Sequence, residues 1–554
     1  MDFEKLSQLL YPNTHDTIAD LMKRYPPRTT KGYVTRFAPS PTGFVHMGSF
    51  FGAYIDYLLA KSTDGVFYFR LEDTDQKRLV EGSDKIALEM LKIFDIAPTE
   101  GYLIGGDYGP YEQSKRVDIY NVFAKELVRR GRALPCFCGE NGGKQEVLER
   151  RNETFEVTDP CEKLTFEEIK ERIDGGQKFA LRFISKGNPE HKIKHNDVIK
   201  GEREIGENDH SAVIIKTNGI PVYAFAHLVD DTLMHTSIVV RGEEWYASLP
   251  LHLELFDAMG LPAPKYAHTP VLMKFDETTG NKRKLSKRHD PEADMRFYLQ
   301  LGYDKDAVKE YLLTLLNSEF EPWRLNNPTA PITDYVFKPE NIGSNNPFFD
   351  VEKLNNISKN TISHYSAQRV YDDLLNWAEN YDTDFATELI NNKANWLLTL
   401  NIDRDTPKPR KDIYNMSMIK DYYNYMYTTP HIDDDALVLA NVNSEFNDSK
   451  NATIDFLKAY ANGLTSFADN SAWFDYLKNV ASEHHFTDRK NFKLNPQNYL
   501  GDMTTASTLI RIAITGKTNS PNLYDIMNIL GTEECKKRIL NLIDYLISKP
   551  YTQD

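Results

Sequence analysis

Two periods of apolar residues alternate through residues 33–94. Tyr33–Ala38 (YVTRFA) is a run of strand character. Met47–Lys61 (MGSFFGAYIDYLLAK) sets its apolar residues three and four apart, the spacing of a helix face. Val66–Leu71 (VFYFRL) is again an apolar run of strand length, and Lys85–Phe94 returns to helical spacing. Strand, loop, helix, strand, helix predicts a βαβ unit of a parallel sheet. The alternation then breaks off. KLTFEEIKERIDGG predicts a helix, and KFALRFIS, Ala212–Lys216 and Val222–Leu228 predict short strands. It resumes at Thr236–Val240, an apolar run ending in Arg241-Gly242-Glu243-Glu244, followed by the helical pattern SLPLHLELFDAMG. A parallel grammar that starts, stops and resumes predicts a doubly wound domain carrying an insertion. Residues 1–31 read as a short helical extension stopped by Tyr25-Pro26-Pro27, and from residue 371 onward the patterns are helical, with no further βαβ signal.

Composition narrows the class of molecule. A chain of 554 residues can bury several cores and predicts three or four domains. No apolar run approaches the roughly 18 residues of a membrane span, and MDFEKLSQLLYPNTHD lacks the basic and apolar regions of a secretory signal. Four cysteines are no disulfide framework. The expectation is a soluble, cytoplasmic protein. Cys136, Cys138 and Cys161 are close in sequence and read either as ordinary reduced thiols or as part of a zinc site, which wants four ligands. No metal ligands are assigned among the site residues. The net charge of -15, from 66 basic and 81 acidic side chains, argues against bulk electrostatic binding of nucleic acid but leaves room for a local basic site.

Three constellations carry chemistry. PSPTGFVHMGS, residues 39–49, is a glycine-containing turn between a predicted strand and helix, where backbone N–H groups and the helix dipole favour an anion. His46 at the helix start can donate to a phosphate oxygen, and Gly48 leaves space for a flat ring or a phosphate. NKRKLSKRHD, residues 281–290, has five basic residues among the seven from Lys282 to Arg288. Such a loop can neutralise a leaving pyrophosphate or simply be a solvated charge run. Glu72 and Arg241 end two predicted parallel strands, where ligands of such sheets bind. Glu72 can receive an ammonium and Arg241 a carboxylate, with Arg36 and Tyr223 completing a small pocket. Structural ion pairs are the plainer alternative for the strand ends.

Taken together, His46-x-Gly48 and the distant Lys284-Leu285-Ser286-Lys287-Arg288 resemble the two signature elements of class I aminoacyl-tRNA synthetases. TRFAPSPTGFVHMGS, FRLEDTD, GPYEQSKR, VYAFAHLVDD and VVRGEEWYASLPLHLELFDAMG narrow the resemblance to glutamyl-tRNA synthetases of the bacterial type. It extends more weakly to NNPFFDVEKLNNISKNTIS and, near the end, to TLIRIAITGKTNSPNLYDIMNILG. The resemblance implies an α/β fold, a Rossmann-type doubly wound parallel sheet with an inserted acceptor-binding domain, followed by an all-α anticodon-binding half. Its implied divisions are an N-terminal extension (1–31), the first catalytic half (32–116), the insertion (117–221), the second catalytic half (222–272), the signature loop and stem-contact region (273–370) and the helical anticodon-binding domain (371–554).

The implied roles are glutamate binding by Arg36, Ser40, Glu72, Tyr223 and Arg241, ATP binding by His46, Gly48 and Lys287, and catalysis by His46, Lys284 and Lys287. ATP with Mg²⁺, L-glutamate and tRNA(Glu) are the implied partners of a monomer. The implied reaction forms a glutamyl-adenylate and passes the acyl group to the 2′-hydroxyl of the terminal adenosine. The alternatives are an enzyme that also charges tRNA(Gln), and an inactive tRNA-binding homologue. His227 departs from the resemblance, standing where many bacterial members carry Asn.

Overall fold

The computed structural model describes residues 1–41, 43–75, 78–138, 160–276, 278–432 and 434–548. The chain divides into two compact units, Met1–Phe297 with Val308–Val351, and Tyr298–Ala307 with Glu352–Asp554.

The first unit opens with helices α1 (Phe3–Leu10) and α2 (Ile18–Arg24). Strand β1 (Val34–Phe37), helix α3 (Met47–Lys61), strand β2 (Val66–Phe69), helix α4 (Ser83–Ile93) and the short β3 (Glu100–Gly101) form the expected parallel unit. The strands lie in the order β1-β2-β3, with Val34 opposite Val66 and Tyr68 opposite Glu100. Helix α3 buries Phe50, Ile55 and Leu59 completely, each worth roughly 1.5–3 kcal/mol relative to exposure. Gly65, before β2, meets the backbone of Tyr33 so closely that a Cβ would lie 1.9 Å from its carbonyl oxygen. The strands could not pair there with any larger residue.

The insertion follows. Helix α5 (Val117–Arg129) leads to β4 (Ala133–Cys136), helix α6 (Phe166–Asp174), β5 (Ala180–Phe183), the hairpin β6 (Lys192–Asp197) and β7 (Gly201–Gly206), and β8 (Ala212–Ile215). Strands β4, β5 and β8 pair antiparallel. Helix α7 (Tyr223–Leu233) comes next, where the sequence predicted a strand over Val222–Leu228. A short apolar run does not separate a buried strand from a buried helix. Here the run continues through Val229, Asp230 and Asp231, all buried, and length decides for helix. The parallel pattern returns with β9 (Ile238–Gly242), helix α8 (Leu249–Met259) and β10 (Lys265–Thr269), which pairs with β9 in parallel. Ser237 ties β9 to β1, its N–H donating to Val34 O at 2.9 Å and its hydroxyl accepting from Val34 N at 2.7 Å. The order β3-β2-β1 beside β9-β10 reverses between β1 and β9, and the site lies at that switch point. Beyond it, β11 (Met273–Phe275) and β12 (Lys282–Lys284) form an antiparallel hairpin.

The second unit is helical, as the pattern predicted. Its longer helices include Ala367–Tyr381, Ser449–Gly463, Asn470–Glu483, Met503–Thr515 and Thr532–Ser548. They bury Leu374, Trp396, Phe456, Leu477, Ile510 and Ile539 in one core. Asp502 caps Met503–Thr515 by accepting from the backbone of Thr504 and Thr505, and Gly516 ends it in the left-handed conformation. Arg538 is buried and donates to Tyr425 O and Ile514 O, both at 2.7 Å, which satisfies carbonyls left over at two helix ends. No helix among the described residues is long and apolar enough to cross a membrane.

Candidate active site

A cleft of about 590 Å³ opens at the switch point of the first unit. Arg36, Ser40, His46, Gly48 and Glu72 line it from the first half of the sheet. Tyr223, Arg241, Lys284 and Lys287 line it from the second. All nine residues singled out in the sequence thus meet in one cavity.

Each wall follows from local structure. The loop after β1 is stitched to the segment after β2 by Glu72 N to Pro39 O, 3.1 Å, and Val80 N to Pro41 O, 2.9 Å; Thr42 lies outside the described residues. His46 is the N-cap of α3, its Nδ1 accepting from Gly48 N at 2.9 Å. The ring proton is therefore left on Nε2, a donor that an anion can accept from. Burial, with Lys287 and Lys284 nearby, pulls His46 below the usual histidine range and keeps it neutral. A Cβ at Gly48 would sit 3.2 Å from His46 Nδ1 and crowd that ring.

The basic run of residues 281–290 is not a uniform solvated face. Leu285 is buried and its N–H donates to Leu272 O at 2.9 Å. Arg283 holds Asp290 bidentately at 2.5 and 2.8 Å, and these bonds keep the Asp290 carboxyl down at about 2. Asp290 in turn accepts from Ser286 N at 2.9 Å. The loop is thereby folded so that Lys284 and Lys287 reach the cleft, and the Lys287 amine rests on Phe44 O. Partial burial, with Arg296 close by, lowers Lys287 from its usual range.

The floor is a buried charge network. Asp231 on α7 accepts from Arg70 Nη1 at 2.8 Å, Arg36 Nε at 3.4 Å, Tyr68 OH at 3.3 Å and Thr236 Oγ1 at 2.8 Å, and pairs with His227 Nδ1. Burial opposes its ionisation, but Arg70, Arg36 and His227 prevail and hold Asp231 well below the carboxylate range. Arg70 also donates to Glu72 Oε1 at 3.0 Å. Burial still pushes the Glu72 carboxyl up despite Arg70, so a second cation such as an ammonium would be welcomed there. His227 is buried between Asp231 and the Tyr266 hydroxyl, 2.9 Å from Nε2, and burial lowers it to about 4. It therefore serves as a neutral spacer under Tyr223, whose ring stacks on it at 5.8 Å.

Arg241 at the end of β9 is 7% exposed. Its Nε donates to His268 Nε2 at 3.0 Å, its Nη1 lies 2.9 Å from His252 Nδ1, and Nη2 is buried without a hydrogen-bond partner. Asp56 on α3 also lines the cleft, with Oδ1 buried and unbonded. Arg70, Asp231, His252, His268 and Asp56 were not singled out from sequence. Arg70 and Asp231 stand inside the quoted segments FRLEDTD and VYAFAHLVDD, which was the available signal.

In the insertion, the sulfur atoms of Cys136, Cys138 and Cys161 lie within 4.8 Å of one another. Three thiols so placed have the chemistry to hold zinc, with one of its four positions left to another ligand. Among the described residues this is the one group of three or more such side chains. Among the described residues no group of three or more carboxylates gathers in the cleft as a resident site for Mg²⁺.

Comparison with known proteins shows the family. Residues 33–321 match the family described as tRNA synthetases class I (E and Q), catalytic domain, and residues 502–543 match an anticodon binding domain. The chain is 40% identical to a glutamate-tRNA ligase of Acetivibrio thermocellus over 98% of this chain and 100% of the other. It is 39% identical to one of Clostridium perfringens strain 13, covering 97% and 100%. Its fold is similar to the crystal structure of a glutamate tRNA ligase from Elizabethkingia meningosepticum in complex with its amino acid, with TM-score 0.74, 24% identity, and 93% and 100% of the two chains covered.

Proposed function

Since the chain belongs to the class I tRNA synthetases for glutamate and glutamine, and within them to the glutamate-tRNA ligases, we propose that its cleft joins L-glutamate to tRNA(Glu) at the expense of ATP. The observation that carries this reading is the convergence of two strand-end charges of opposite sign, Glu72 and Arg241, with His46, Lys284 and Lys287 in one cavity.

Glutamate is held between them. Glu72 receives the α-ammonium, while Arg36 and Arg241 receive the side-chain carboxylate, with Ser40 and Tyr223 closing the sides. ATP enters as its Mg²⁺ complex over Gly48, with His46 Nε2–H donating to a phosphate oxygen. An oxygen of the glutamate α-carboxylate attacks the α-phosphorus, the bond to the β-phosphate breaks, and pyrophosphate leaves toward Lys284 and Lys287. The 2′-hydroxyl of the terminal tRNA adenosine then attacks the glutamyl carbonyl, the bond to the adenylate phosphate breaks, and AMP departs with the hydroxyl proton on its phosphate. No protein nucleophile is required, because positioning and charge stabilisation supply the acceleration. On this reading the enzyme works in the cytoplasm, where the free thiols of Cys136, Cys138, Cys161 and Cys535 persist. On the same reading it works as a monomer, the nine cleft groups all coming from its own chain.

Pyrophosphate exchange into ATP tests the reading. Exchange that requires both glutamate and tRNA supports it, and exchange indifferent to glutamate refutes it. Lys287→Ala is expected to lower glutamylation at least about tenfold, or 1.4 kcal/mol of transition-state stabilisation. Near wild-type turnover of the purified variant would remove that lysine from the mechanism. The charge of -15 means that tRNA must be held by local basic surface. Its affinity is expected to drop at least about tenfold between 50 and 200 mM salt; a flat response in a filter-binding titration would contradict this.

A further inference from the structure

Arg241 differs from the other buried arginines of the cleft in what holds it. Arg36 and Arg70 are paired with the carboxylate of Asp231. Among the described residues Arg241 has no carboxylate within ion-pair distance. Its partners are two buried imidazoles, His268 on Nε and His252 beside Nη1, and its guanidinium lies 4.8 Å from the centre of the Tyr266 ring. Imidazole acceptors fix the direction of a guanidinium without cancelling its charge. That leaves a full positive charge and one unbonded donor, Nη2, in the cleft wall.

His268 can accept from Arg241 only if its Nε2 carries no proton. The device that ensures this is Asp197, at the end of β6 in the inserted hairpin. Asp197 Oδ2 lies 2.6 Å from His268 Nδ1 and so keeps the ring proton on that nitrogen. Asp197 is itself held rigidly: it is 1% exposed and accepts from the backbone of Ile199 at 2.9 Å, Lys200 at 2.8 Å and His268 at 3.2 Å. Burial lowers His268 from the usual histidine range even with Asp197 beside it, so the ring stays neutral. Neither Asp197 nor His268 lines the cleft.

We propose that Asp197 and His268 are positioning residues of the glutamate site, which through the Nδ1–H tautomer of His268 aim an uncompensated Arg241 at the substrate's side-chain carboxylate. The chain Asp197, His268, Arg241 also gives the inserted hairpin a direct hold on amino-acid recognition. Selectivity follows from the charge: a carboxylate neutralises Arg241, whereas the carboxamide of glutamine leaves it unpaired and desolvated.

The proposal rests on the glutamate-activating reading above, and its test separates the two. In the full chain, Asp197→Asn and His268→Leu are each expected to raise the glutamate KM at least about tenfold with the ATP KM within twofold. Both should lose the glutamate-induced rise in melting temperature and retain the rise induced by ATP. His268→Gln, whose amide oxygen can still accept from Arg241 while its NH2 donates to Asp197, should recover to within about threefold of wild type. Glutamate and ATP affected equally, or a Gln variant no better than the Leu variant, overturns the proposal and makes the pair structural. Wild-type protein without glutamate-dependent exchange would instead sink the parent reading.

Discussion

Replacing Asp231 by Asn is expected to cost the first unit about 3–5 kcal/mol of folding stability, the range found when one partner of a buried ion pair is removed. Asp231 is 2% exposed and is the common anion for Arg36, which is 3% exposed, and Arg70, which is fully buried. Without its charge, the nearest remaining carboxylates are Glu72, already 3.0 Å from Arg70, and Asp230, 4.0 Å away and committed to Arg116 at 2.6 Å. An amide would also turn an N–H toward one of five groups that now donate to or pair with the carboxylate. A domain is typically stable by only 5–15 kcal/mol, so the loss should be visible as a lower urea midpoint for the transition reported by the first unit. The sign of the pH dependence follows from the depressed carboxyl. Its stabilisation is present above the unfolded carboxylate pKa and is lost as pH falls toward the folded value. The wild type should therefore lose its advantage over the Asn variant in acid. An unchanged midpoint would mean that Arg36 and Arg70 are neutralised by something other than Asp231.

Arg241→Ala should raise the glutamate KM about 30- to 150-fold, the 2–3 kcal/mol expected for losing a desolvated, charge-assisted contact, with the ATP KM changed less than about threefold. The contrast comes from geometry. Arg241 ends β9 on the side of Tyr223 and His252, whereas the proposed ATP-binding groups His46 and Gly48 begin α3. Truncation also leaves His252 and His268 without their donor, so Arg241→Lys, which restores charge but not the three-nitrogen fork, should recover only part of the loss. Steady-state kinetics in glutamate and in ATP separately check this. Equal effects on both substrates would indicate a collapsed cleft and not a missing carboxylate contact.

Much of the catalytic layer was legible because its information is local. The helix predicted over Met47–Lys61 has those same ends in the structure, and Glu72 and Arg241, read as the charged ends of two parallel strands, both line the cleft. Reading was less reliable where burial is complete. Val222–Leu228 read as a strand because every position is apolar or aromatic up to His227, and only the later Asp230 and Asp231, buried through partners on other elements, reveal a helix. The support of the site was the least visible part. Asp197 and His268 reach Arg241 across sequence separations that no local pattern records, whereas His252 stands inside the quoted VVRGEEWYASLPLHLELFDAMG. The extension of residues 1–31 likewise gave no hint that Arg28 would pair with Glu100 and lie 3.9 Å from the centre of the Tyr108 ring.

The central claim is most directly tested by offering the purified enzyme labelled glutamate, ATP and each of two purified tRNAs, tRNA(Glu) and tRNA(Gln). The account predicts ATP-dependent glutamylation of tRNA(Glu) that Lys287→Ala slows at least about tenfold; labelling of tRNA(Gln) as well would identify a non-discriminating enzyme. Binding of tRNA(Glu) with no transfer of glutamate to either tRNA would contradict it.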